Sequence, residues 1–457
     1  PDVPSWLDRF GDPPAWARPQ MFFVWNGDAD KERIGEMLRQ YADEGLGGVF
    51  VHPRPGLITE YLSPEWFEAW RYTLDECRRL GLECHIYDEN GFPSGFASGE
   101  VLAADPTLAA HYLTPVKVTN SAKRPEGEII ACFTVPDGND LPRRATEETL
   151  AEAGDARPVW ALVVRSVDAR SAHGGHPYPD VLRPETAEIF LRVTHDRYAR
   201  HFQKHFGREV KYMFTDEPDM PGAKGLPWSD YLLTEFRREH GYDLRDNLTP
   251  LCFGGPESTA VRFDYWKTIG RLWIDNFVRP IYEWCDRHDL AFTGHLWEHE
   301  WPVPQKQPLV MHTYRWMQAP GTDLLGFHFF PTSFEDQLLA YLNQKELSSI
   351  ANQLGRPHIL CESSGAGGYG MALREFKPLE DFLLASGISV MTPHLSYQTL
   401  AGARKYDWPQ TISDHASWWD SYDLQTNHVG RVVYALAQGR EHNRIVVLHP
   451  DTSGWVH

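Results

Sequence analysis

The feature that most constrains the fold is a repeated unit, in which a short apolar run ends in polar residues and leads into a helix. The first three apolar runs cover residues 21–25, 48–52 and 83–87, with helical patterns at about 31–44 and 64–80 between them. Buried parallel strands are typically short apolar runs bounded by turn signals. Strands that alternate with helices in this way predict a parallel α/β fold.

The repeat is interrupted once and then resumes. Between residues 114 and 179, three β-rich pieces are separated by prolines, glycines and charged residues, which predicts a small β-rich insertion. Five further strands are predicted at residues 210–215, 290–295, 315–318 or 324–326, 358–361 and 388–394. Eight strands in order, with helices between them, predict a (β/α)8 TIM barrel with the insertion after its third βα unit.

The 457 residues are divided accordingly. Residues 1–113 and 180–440 are predicted to form the barrel, which needs ~250 residues, and residues 114–179 are predicted to form the insertion. One more strand is predicted at residues 444–449, which is surplus to the eight. We therefore expect residues 441–457 to begin a further domain that is truncated in this chain.

Composition narrows the classes of function. The net charge of −19, from 63 acidic and 44 basic residues, disfavours nucleic acid and anionic membranes, whose binding needs a basic surface. No apolar stretch approaches the ~20 residues that span a bilayer. The six cysteines are scattered without a CxxC pair, so neither a zinc site nor a disulfide framework is indicated. We expect a soluble enzyme that acts on a neutral substrate.

The first residues leave the cellular compartment open. Residues 1–6 have neither the charged nor the apolar region of a signal peptide, and the chain does not start with methionine. A cytoplasmic protein and a periplasmic or secreted protein whose signal has been removed are both consistent with such a start.

Two predicted strands end on a carboxylate followed by a chain breaker. Asp216, Glu217 and Pro218 follow the fourth strand, and Glu362 follows the seventh, just before a glycine-rich loop. A glutamate at the carboxyl end of a barrel strand is well placed for chemistry, and two on different strands predict a pair that cleaves glycosidic bonds.

The two glutamates are expected to have different roles. The like charge of Asp216 raises the proton affinity of Glu217, which suits a general acid. Glu362 would then act as a nucleophile or, through a water molecule, as a general base. The structural alternatives are that Asp216 and Glu217 cap the next turn and that Glu362 pairs with an arginine.

Polar residues at nearly every predicted strand end indicate a deep pocket that binds several sugar hydroxyls. Aromatic side chains in the loops suit the apolar faces of sugar rings. The candidate substrate-binding residues are Asn26, His52, Asp88, Glu89, Asn90, Asp216, His295, Trp297, Glu298, His394 and Arg404.

Three other interpretations stay open. Glu298 or Glu300 could replace Glu362 as the second carboxylate, and a metal-dependent hydrolase could use His295, His299, Glu298 and Asp88. The spacing differs from the HExxH pattern of zinc proteases, however, and no metal site is assigned. A non-catalytic carbohydrate-binding barrel is the third interpretation. In each case the expected partner is a carbohydrate.

Several motifs are familiar. They are the segments at residues 43–49, 61–63, 89–95, 214–218, 294–296, 320–323 and 402–409. In these motifs, over most of the chain except the insertion, the sequence resembles the α-L-rhamnosidase-type glycoside hydrolases, which are large multidomain proteins with a TIM-barrel catalytic core.

The resemblance implies a function in carbohydrate metabolism, such as bacterial degradation of polysaccharides. It implies an exo-acting enzyme that releases a terminal sugar, with α-L-rhamnose as the expected sugar and Glu217 and Glu362 as the catalytic pair. It also implies inversion and a Ca²⁺ ion that helps to hold the sugar, although no residue pattern requires a cofactor. A retaining glycosidase of the β-galactosidase type would share these motifs. The carboxyl separation distinguishes the two, at ~5–5.5 Å for retention and ~6.5–9.5 Å for inversion.

Overall fold

The computed structural model describes residues 5–135, 140–168, 175–220, 224–298, 303–329 and 334–456. The strands are β1 (Gln20–Trp25), β2 (Gly48–Pro53), β3 (Glu83–Tyr87), β4 (His111–Val118), β5 (Glu128–Thr134), β6 (Arg144–Ala145), β7 (Val159–Ser166), β8 (Tyr212–Asp216), β9 (Leu226–Pro227), β10 (Ala291–His295), β11 (Gly321–Leu324), β12 (Leu360–Ser363), β13 (Val390–Pro393) and β14 (Ser396–Tyr397).

Helices connect and cover these strands. They are α1 (Lys31–Asp43), α2 (Pro64–Leu80), α3 (Glu100–Ala104), α4 (Glu147–Ala151), α5 (Pro184–Val193), α6 (His195–Phe202), α7 (Asp230–His240), α8 (Leu248–Cys252), α9 (Ser258–Trp273), α10 (Arg279–Arg287), α11 (Val310–Tyr314), α12 (Gly326–Phe329), α13 (Phe334–Leu354), α14 (Leu373–Ala385) and α15 (Asp423–Leu436).

Two parallel sheets form the centre of the molecule. One has the strand order β10-β8-β3-β2-β1-β14, and the other has the order β11-β12-β13. In register, His295 lies opposite Asp216 and Glu362 lies opposite Asp323. The α/β class with parallel strands is therefore confirmed. Among the described residues, the strand ladders form these two sheets and do not join into one closed barrel.

Local sequence explains the bounds of the helices around the sheets. The side chain of Ser63 accepts a hydrogen bond from the Trp66 amide at the start of α2, and Pro64 occupies the first turn. The same helix ends at Gly81, whose φ of +76° is left-handed and therefore favours glycine. These signals fix where the segment between β2 and β3 turns back toward the sheet.

An antiparallel sheet follows the third parallel strand. Its strand order is β6-β5-β7-β4-β9. Four of its strands come from residues 111–166, and the edge strand β9 comes from the segment after β8. The sheet is therefore anchored to the same segment that leaves the fourth parallel strand.

Two strand predictions are wrong. The sixth parallel strand is Gly321–Leu324, not residues 315–318 or 324–326, because the polar Thr322 and Asp323 hide it from a search for apolar runs. Residues 444–449 are not in a strand, because no neighbouring strand among the described residues pairs with them. Side chains from Ile445 to Leu448 are instead 82–89% exposed.

The inner faces of the parallel strands pack a layer of aromatic residues beneath the carboxyl ends. Phe22 contacts Phe50, Tyr87 and Phe214, with ring centroids 5.0–6.0 Å apart. Each of these rings is fully buried, so together they form a rigid floor. This packed layer leaves no room for the charged side chains at the strand ends to enter the hydrophobic core.

Two glycines bring three strands unusually close together. Gly294 has a φ of +111°, and a Cβ atom there would lie 1.9 Å from the carbonyl oxygen of Thr215. A Cβ atom on Gly321 would lie 2.2 Å from the carbonyl oxygen of Gly294. Only glycine permits such an approach between β8, β10 and β11.

No helix within the described part of the chain combines the length and the apolar character needed to cross a membrane.

Candidate active site

A cavity lies where the carboxyl ends of the parallel strands meet. Asp216 ends β8, His295 ends β10, Asp323 lies on β11 and Glu362 lies on β12. The residues that line the cavity are Arg54, Phe92, Asp216, Glu217, His295, Asp323, Leu325, Glu362, His394 and Trp408. The two sequence-predicted catalytic glutamates therefore share one cavity with three of the predicted substrate-binding residues.

His295 is the centre of this cavity. Its Nε2 atom lies 2.7 Å from Oε2 of Glu362 and 3.4 Å from Oδ1 of Asp216, and its Nδ1 atom lies 3.8 Å from Oε1 of Glu217. Burial alone would lower the pKa of His295, but the surrounding carboxylates, Glu362 first, hold it well above its usual range. The side chain is therefore an imidazolium with a buried glutamate near each of its two nitrogens.

Glu217 is held in an unusual backbone conformation. Its φ is +40°, which is uncommon for a residue with a side chain. Its amide donates a hydrogen bond to the carbonyl of His295 at 3.0 Å, and its carbonyl accepts one from Nε1 of Trp297 at 3.1 Å. The backbone of Glu217 is therefore fixed by the strand that carries His295 and the loop that carries Trp297.

The environment of Glu217 favours its protonated form. Burial raises the pKa of Glu217 well above its usual range, and the nearby charges of Asp216, Asp323 and Glu362 raise it further, while His295 opposes them. A carboxylic acid that keeps its proton near neutral pH is what a general acid requires.

Glu362 has a less extreme environment. Burial raises the pKa of Glu362 to about 7, and the imidazolium of His295 limits the rise by hydrogen bonding to the carboxylate. On its other side, Nε2 of His394 lies 3.6 Å from Oε1. Burial lowers the pKa of His394 well below its usual value, with Arg54 and His295 adding to the effect, so this imidazole is neutral.

The wall of the cavity includes residues that the sequence did not single out. They are Arg54, Phe92, Asp323, Leu325 and Trp408 as lining residues. Asp323 carries the same signal as Glu217 and Glu362, namely a carboxylate at the end of a parallel strand. The signal was missed because the strand itself was misplaced. Asp216 is held from below by the hydroxyl of Tyr87, which donates to it at 2.5 Å.

Asp88 and Glu89 lie beneath the cavity and are completely buried. Asp88 accepts hydrogen bonds from the hydroxyls of Ser94 and Thr215. Glu89 accepts five from backbone amides, those of residues 90, 95, 96, 97 and 98. These contacts fold the loop after β3, so the structure places both carboxylates in support of the loop.

Glu298 is also fully buried and engaged. It accepts hydrogen bonds from the Tyr314 hydroxyl, the Thr322 hydroxyl at 2.7 Å, and the amides of Leu296 and Asp323 at 3.2 and 3.1 Å. It thereby joins the loop after β10 to strand β11. Trp297, which bonds to the carbonyl of Glu217, has its ring centroid 3.6 Å from the ammonium of Lys306.

The remaining predicted binding residues lie around the cavity without lining it. Asn26 bonds to the backbone of Thr399, and Asn90 bonds to the hydroxyl of Ser98. Arg404 donates to the carbonyls of Asn26 and Gly56, and so ties its own loop to the first two strands. His52 is buried and stacks on the ring of Tyr87 at 3.7 Å.

Two overlapping groups of side chains could hold a cation. Asp216, His295 and Glu362 form one, and Glu217, His295 and Asp323 form the other, with ligand atoms in each group within 4.8 Å of one another. Each group contributes two carboxylates, whose oxygens are the ligands that Ca²⁺ prefers, beside an imidazole that is not a usual Ca²⁺ ligand. Of the residues named for the metal-hydrolase alternative, Glu298 and Asp88 bond to other groups, and His299 lies outside the described residues, as does Glu300.

The chain resembles known proteins both in sequence and in fold. Residues 176–453 match a family model described as alpha-L-rhamnosidase, which is more than half of the chain and confirms the resemblance drawn from the motifs. The solved rhamnosidase of Novosphingobium sp. PP1Y has a similar fold, with a TM-score of 0.66 and 16% identity. That match covers 96% of this chain and 61% of the rhamnosidase.

A curated protein of Formosa agariphila, named "Putative beta-glucuronidase", is 20% identical over 99% of this chain. The match covers 43% of that protein. The chain therefore spans less than two thirds of either relative.

Proposed function

The chain belongs to the alpha-L-rhamnosidase family of glycoside hydrolases, and from this premise we propose that it hydrolyses a terminal glycosidic bond in the cavity around His295. The observation that carries the proposal is the pair of buried glutamates, Glu217 and Glu362, near the two nitrogens of one imidazolium. Burial raises the pKa of Glu362 to about 7 and that of Glu217 well above its usual range, so Glu217 can hold a proton at a pH where Glu362 ionises, which is what an acid and base pair needs.

The proposed reaction has one proton donor and one proton acceptor. Glu217 gives its proton to the glycosidic oxygen as the bond between that oxygen and the anomeric carbon breaks. Glu362, in its ionised form, takes a proton from the water whose oxygen attacks the anomeric carbon. The imidazolium of His295 favours the ionised form of Glu362 through their 2.7 Å hydrogen bond.

Inversion is the proposed stereochemical course, following the family. It requires room for a water molecule between Glu362 and the anomeric carbon, and therefore a carboxyl separation of ~6.5–9.5 Å. Proton NMR of the first product formed distinguishes the two anomers. Retention of configuration would instead assign Glu362 as a nucleophile.

We also propose that the eight parallel strand positions complete a (β/α)8 barrel. The amide of Ala319 donates to the carbonyl of Phe292 at 3.1 Å at the seam between the two sheets. At the other side, the amide of Gln398 donates to the carbonyl of Val24 at 3.0 Å. These bonds support a closed arrangement in which every catalytic side chain points from one rim.

Calcium is proposed as a bound ion on the same grounds of family and donor chemistry. The ion would bind to one of the two groups around His295, in which Asp216 or Asp323 supplies a carboxylate ligand that takes no part in the proposed proton transfers. When bound, such an ion would neutralise carboxylates and accept sugar hydroxyls as ligands. Thermal melting after EDTA treatment, and again after CaCl₂ addition, tests this. Identical melting curves would contradict a calcium site.

The proposed substrate class is an α-L-rhamnoside. The cavity is lined by seven polar or charged side chains, which suit the hydroxyls of one sugar ring. Because a relative is named as a glucuronidase, β-glucuronides belong in the same assay. Four of the seven are carboxylates, which disfavour an anionic sugar unless a cation is bound.

The experiment is a screen with aryl glycosides, including α-L-rhamnoside, β-galactoside and β-glucuronide. The test variant is Glu217→Gln, and the matched control is Glu380→Gln. Glu380 is likewise fully buried with a raised pKa, but it lies on α14 and bonds to Gln425. We expect release from the rhamnoside, a loss of about 10³-fold in Glu217→Gln, and unchanged activity in the control.

Full activity of Glu217→Gln on every cleavable glycoside would overturn the assignment of the acid. Activity confined to another glycoside would retain the mechanism and replace the sugar. No hydrolysis by the unmodified chain of any glycoside, together with sugar affinity that survives loss of both glutamates, would favour a carbohydrate-binding role.

A further inference from the structure

The cavity has a polar base and an apolar outer wall. Side chains at the base, from Asp216 to His394, are at most 8% exposed, whereas Trp408 lines the same cavity and is 44% exposed. Trp408 is therefore its outermost large side chain. In an exo-acting enzyme the terminal sugar occupies the closed base, and the group beyond the scissile bond projects outward past the wall.

Trp408 is fixed where a mobile loop would be expected. Its φ is +55°, in a region that costs a residue with a side chain on the order of 1–3 kcal/mol, so the surrounding contacts must impose it. Asp407 accepts two hydrogen bonds from the guanidinium of Arg54, at 2.7 and 2.8 Å. The hydroxyl of Tyr397 donates to the carbonyl of Asp407.

Further contacts hold the same segment on both sides. The hydroxyl of Tyr369 donates to the carbonyl of Lys405 at 2.6 Å, and the amide of Gly368 donates to the carbonyl of Pro409 at 3.2 Å. Core packing of Trp408 does not account for these contacts, because nearly half of its surface is exposed. The contacts position an aromatic ring at the opening.

A second aromatic ring completes the wall. Phe92 lies edge-to-face with Trp408, with ring centroids 6.4 Å apart, and the guanidinium of Arg54 lies 5.2 Å from the centroid of the Phe92 ring. Arg54 thus contacts both the segment of Trp408 and the ring of Phe92. Exposed aromatic faces of this kind bury apolar faces of sugars or aryl groups.

We propose that Trp408 and Phe92 form an apolar wall that contacts the leaving group, so that Trp408 determines which aglycones are accepted. The inference rests on the proposed glycosidase function and extends it to substrate specificity. Asp407 is a positioning residue in this account, because it acts by holding the segment of Trp408 against Arg54.

The test compares leaving groups of different size on the same sugar. For Trp408→Ala we expect KM to rise about tenfold for an aryl α-L-rhamnoside, while kcat/KM for methyl α-L-rhamnoside stays within about twofold. Trp408→Phe should restore most of the affinity for the aryl substrate. Asp407→Asn should raise KM for the aryl substrate alone, in the same direction as Trp408→Ala.

The matched control is Tyr406→Ala, which removes an aromatic residue of the same segment that is 74% exposed. It should leave both substrates unaffected. An equal loss on methyl and aryl rhamnosides in Trp408→Ala, or no loss on either, would overturn the inference while leaving the glycosidase proposal intact.

Calorimetry separates this inference from the proposed function. Aryl and methyl rhamnosides are titrated into Glu217→Gln, alone and combined with Trp408→Ala. A tenfold loss of aryl affinity with unchanged methyl affinity supports the wall. Equal losses overturn it. No binding of either glycoside, together with no hydrolysis by the unmodified chain, would overturn both proposals.

Discussion

Two sets of buried carboxylates lie at the ends of the parallel strands, and their partners differ. The cavity carboxylates are Asp216, Glu217, Asp323 and Glu362, which are 5–8% exposed and gather around one imidazolium. The supporting carboxylates are Asp88, Glu89 and Glu298, which are 0% exposed. Each supporting carboxylate accepts two to five hydrogen bonds from hydroxyls or backbone amides.

The difference shows that position at the end of a strand does not by itself separate a cavity carboxylate from a supporting one. A carboxylate whose acceptor positions are filled by fixed donors cannot bind a substrate without breaking them. Four carboxylates crowded into one buried cavity are electrostatically unfavourable even beside His295 and Arg54, and such a site is kept for function at the expense of stability. Substitutions in the two sets should therefore have opposite effects.

The largest expected effect is on catalysis, from Glu362→Gln. We expect kcat to fall about 10³-fold, while the free energy of unfolding stays constant or rises by about 1 kcal/mol, because one of several crowded negative charges is removed. In the unmodified enzyme kcat/KM should increase with pH up to an apparent pKa near 7, where Glu362 loses its proton. The residual kcat/KM of Glu362→Gln should not show this increase with pH.

A pH–rate profile of both proteins, with chemical denaturation of both, checks this expectation. An acid limb that persists in Glu362→Gln would assign it to another group. A marked loss of stability in Glu362→Gln would contradict the proposed difference between the cavity carboxylates and the supporting carboxylates.

The next effect is on stability, from Glu89→Gln. An amide can accept hydrogen bonds at one atom only, so some of the five backbone amides around Glu89 would lose their acceptor. We expect the free energy of unfolding to fall by about 3 kcal/mol, with kcat of the folded fraction changed by less than tenfold. Urea denaturation and active-site titration measure the two quantities separately. A large loss of kcat with unchanged stability would move Glu89 into the catalytic set.

The smallest effect concerns Glu380, a buried carboxylate outside both sets. Burial raises the pKa of Glu380 to about 8, so the folded state keeps a proton that the unfolded state releases at lower pH. Stability therefore falls as pH rises from the unfolded pKa, ~4.3, toward 8. In Glu380→Gln the free energy of unfolding should fall by about 1 kcal/mol less over this pH range. Denaturation of both proteins at pH 5 and pH 9 tests this, and parallel curves would contradict it.

The place of Glu217 and Glu362 in one cavity could be predicted because the signals are local. Glu217 directly follows β8, and Glu362 is the last residue but one of β12; each comes after a short apolar run and before a breaker, so a single stretch of sequence contains the whole pattern. Asp323 has the same position on β11, but the Gly-Thr-Asp-Leu sequence of that strand is too polar to be recognised as a strand. Its burial depends on glycine contacts between strands, which no local pattern reports.

The supporting carboxylates could not be separated from the cavity set by sequence alone. The donors to Glu298 include Tyr314 and Thr322, which lie 16 and 24 residues away, and the donor Thr215 lies 127 residues from Asp88. Only the folded arrangement brings these groups together. The same holds for Arg54 and Asp407, which are 353 residues apart and whose ion pair fixes the wall of the cavity.

Gly294 and Gly321 have a consequence for how this protein could be altered by evolution or in the laboratory. The strands that carry the acid, the imidazolium and Asp323 touch backbone to backbone at these positions. A library that randomises the rim should therefore return glycine at both, even where it tolerates new side chains in the loops. Descendants with a new sugar preference should differ from this chain in their loops, while this narrow contact stays invariant among them.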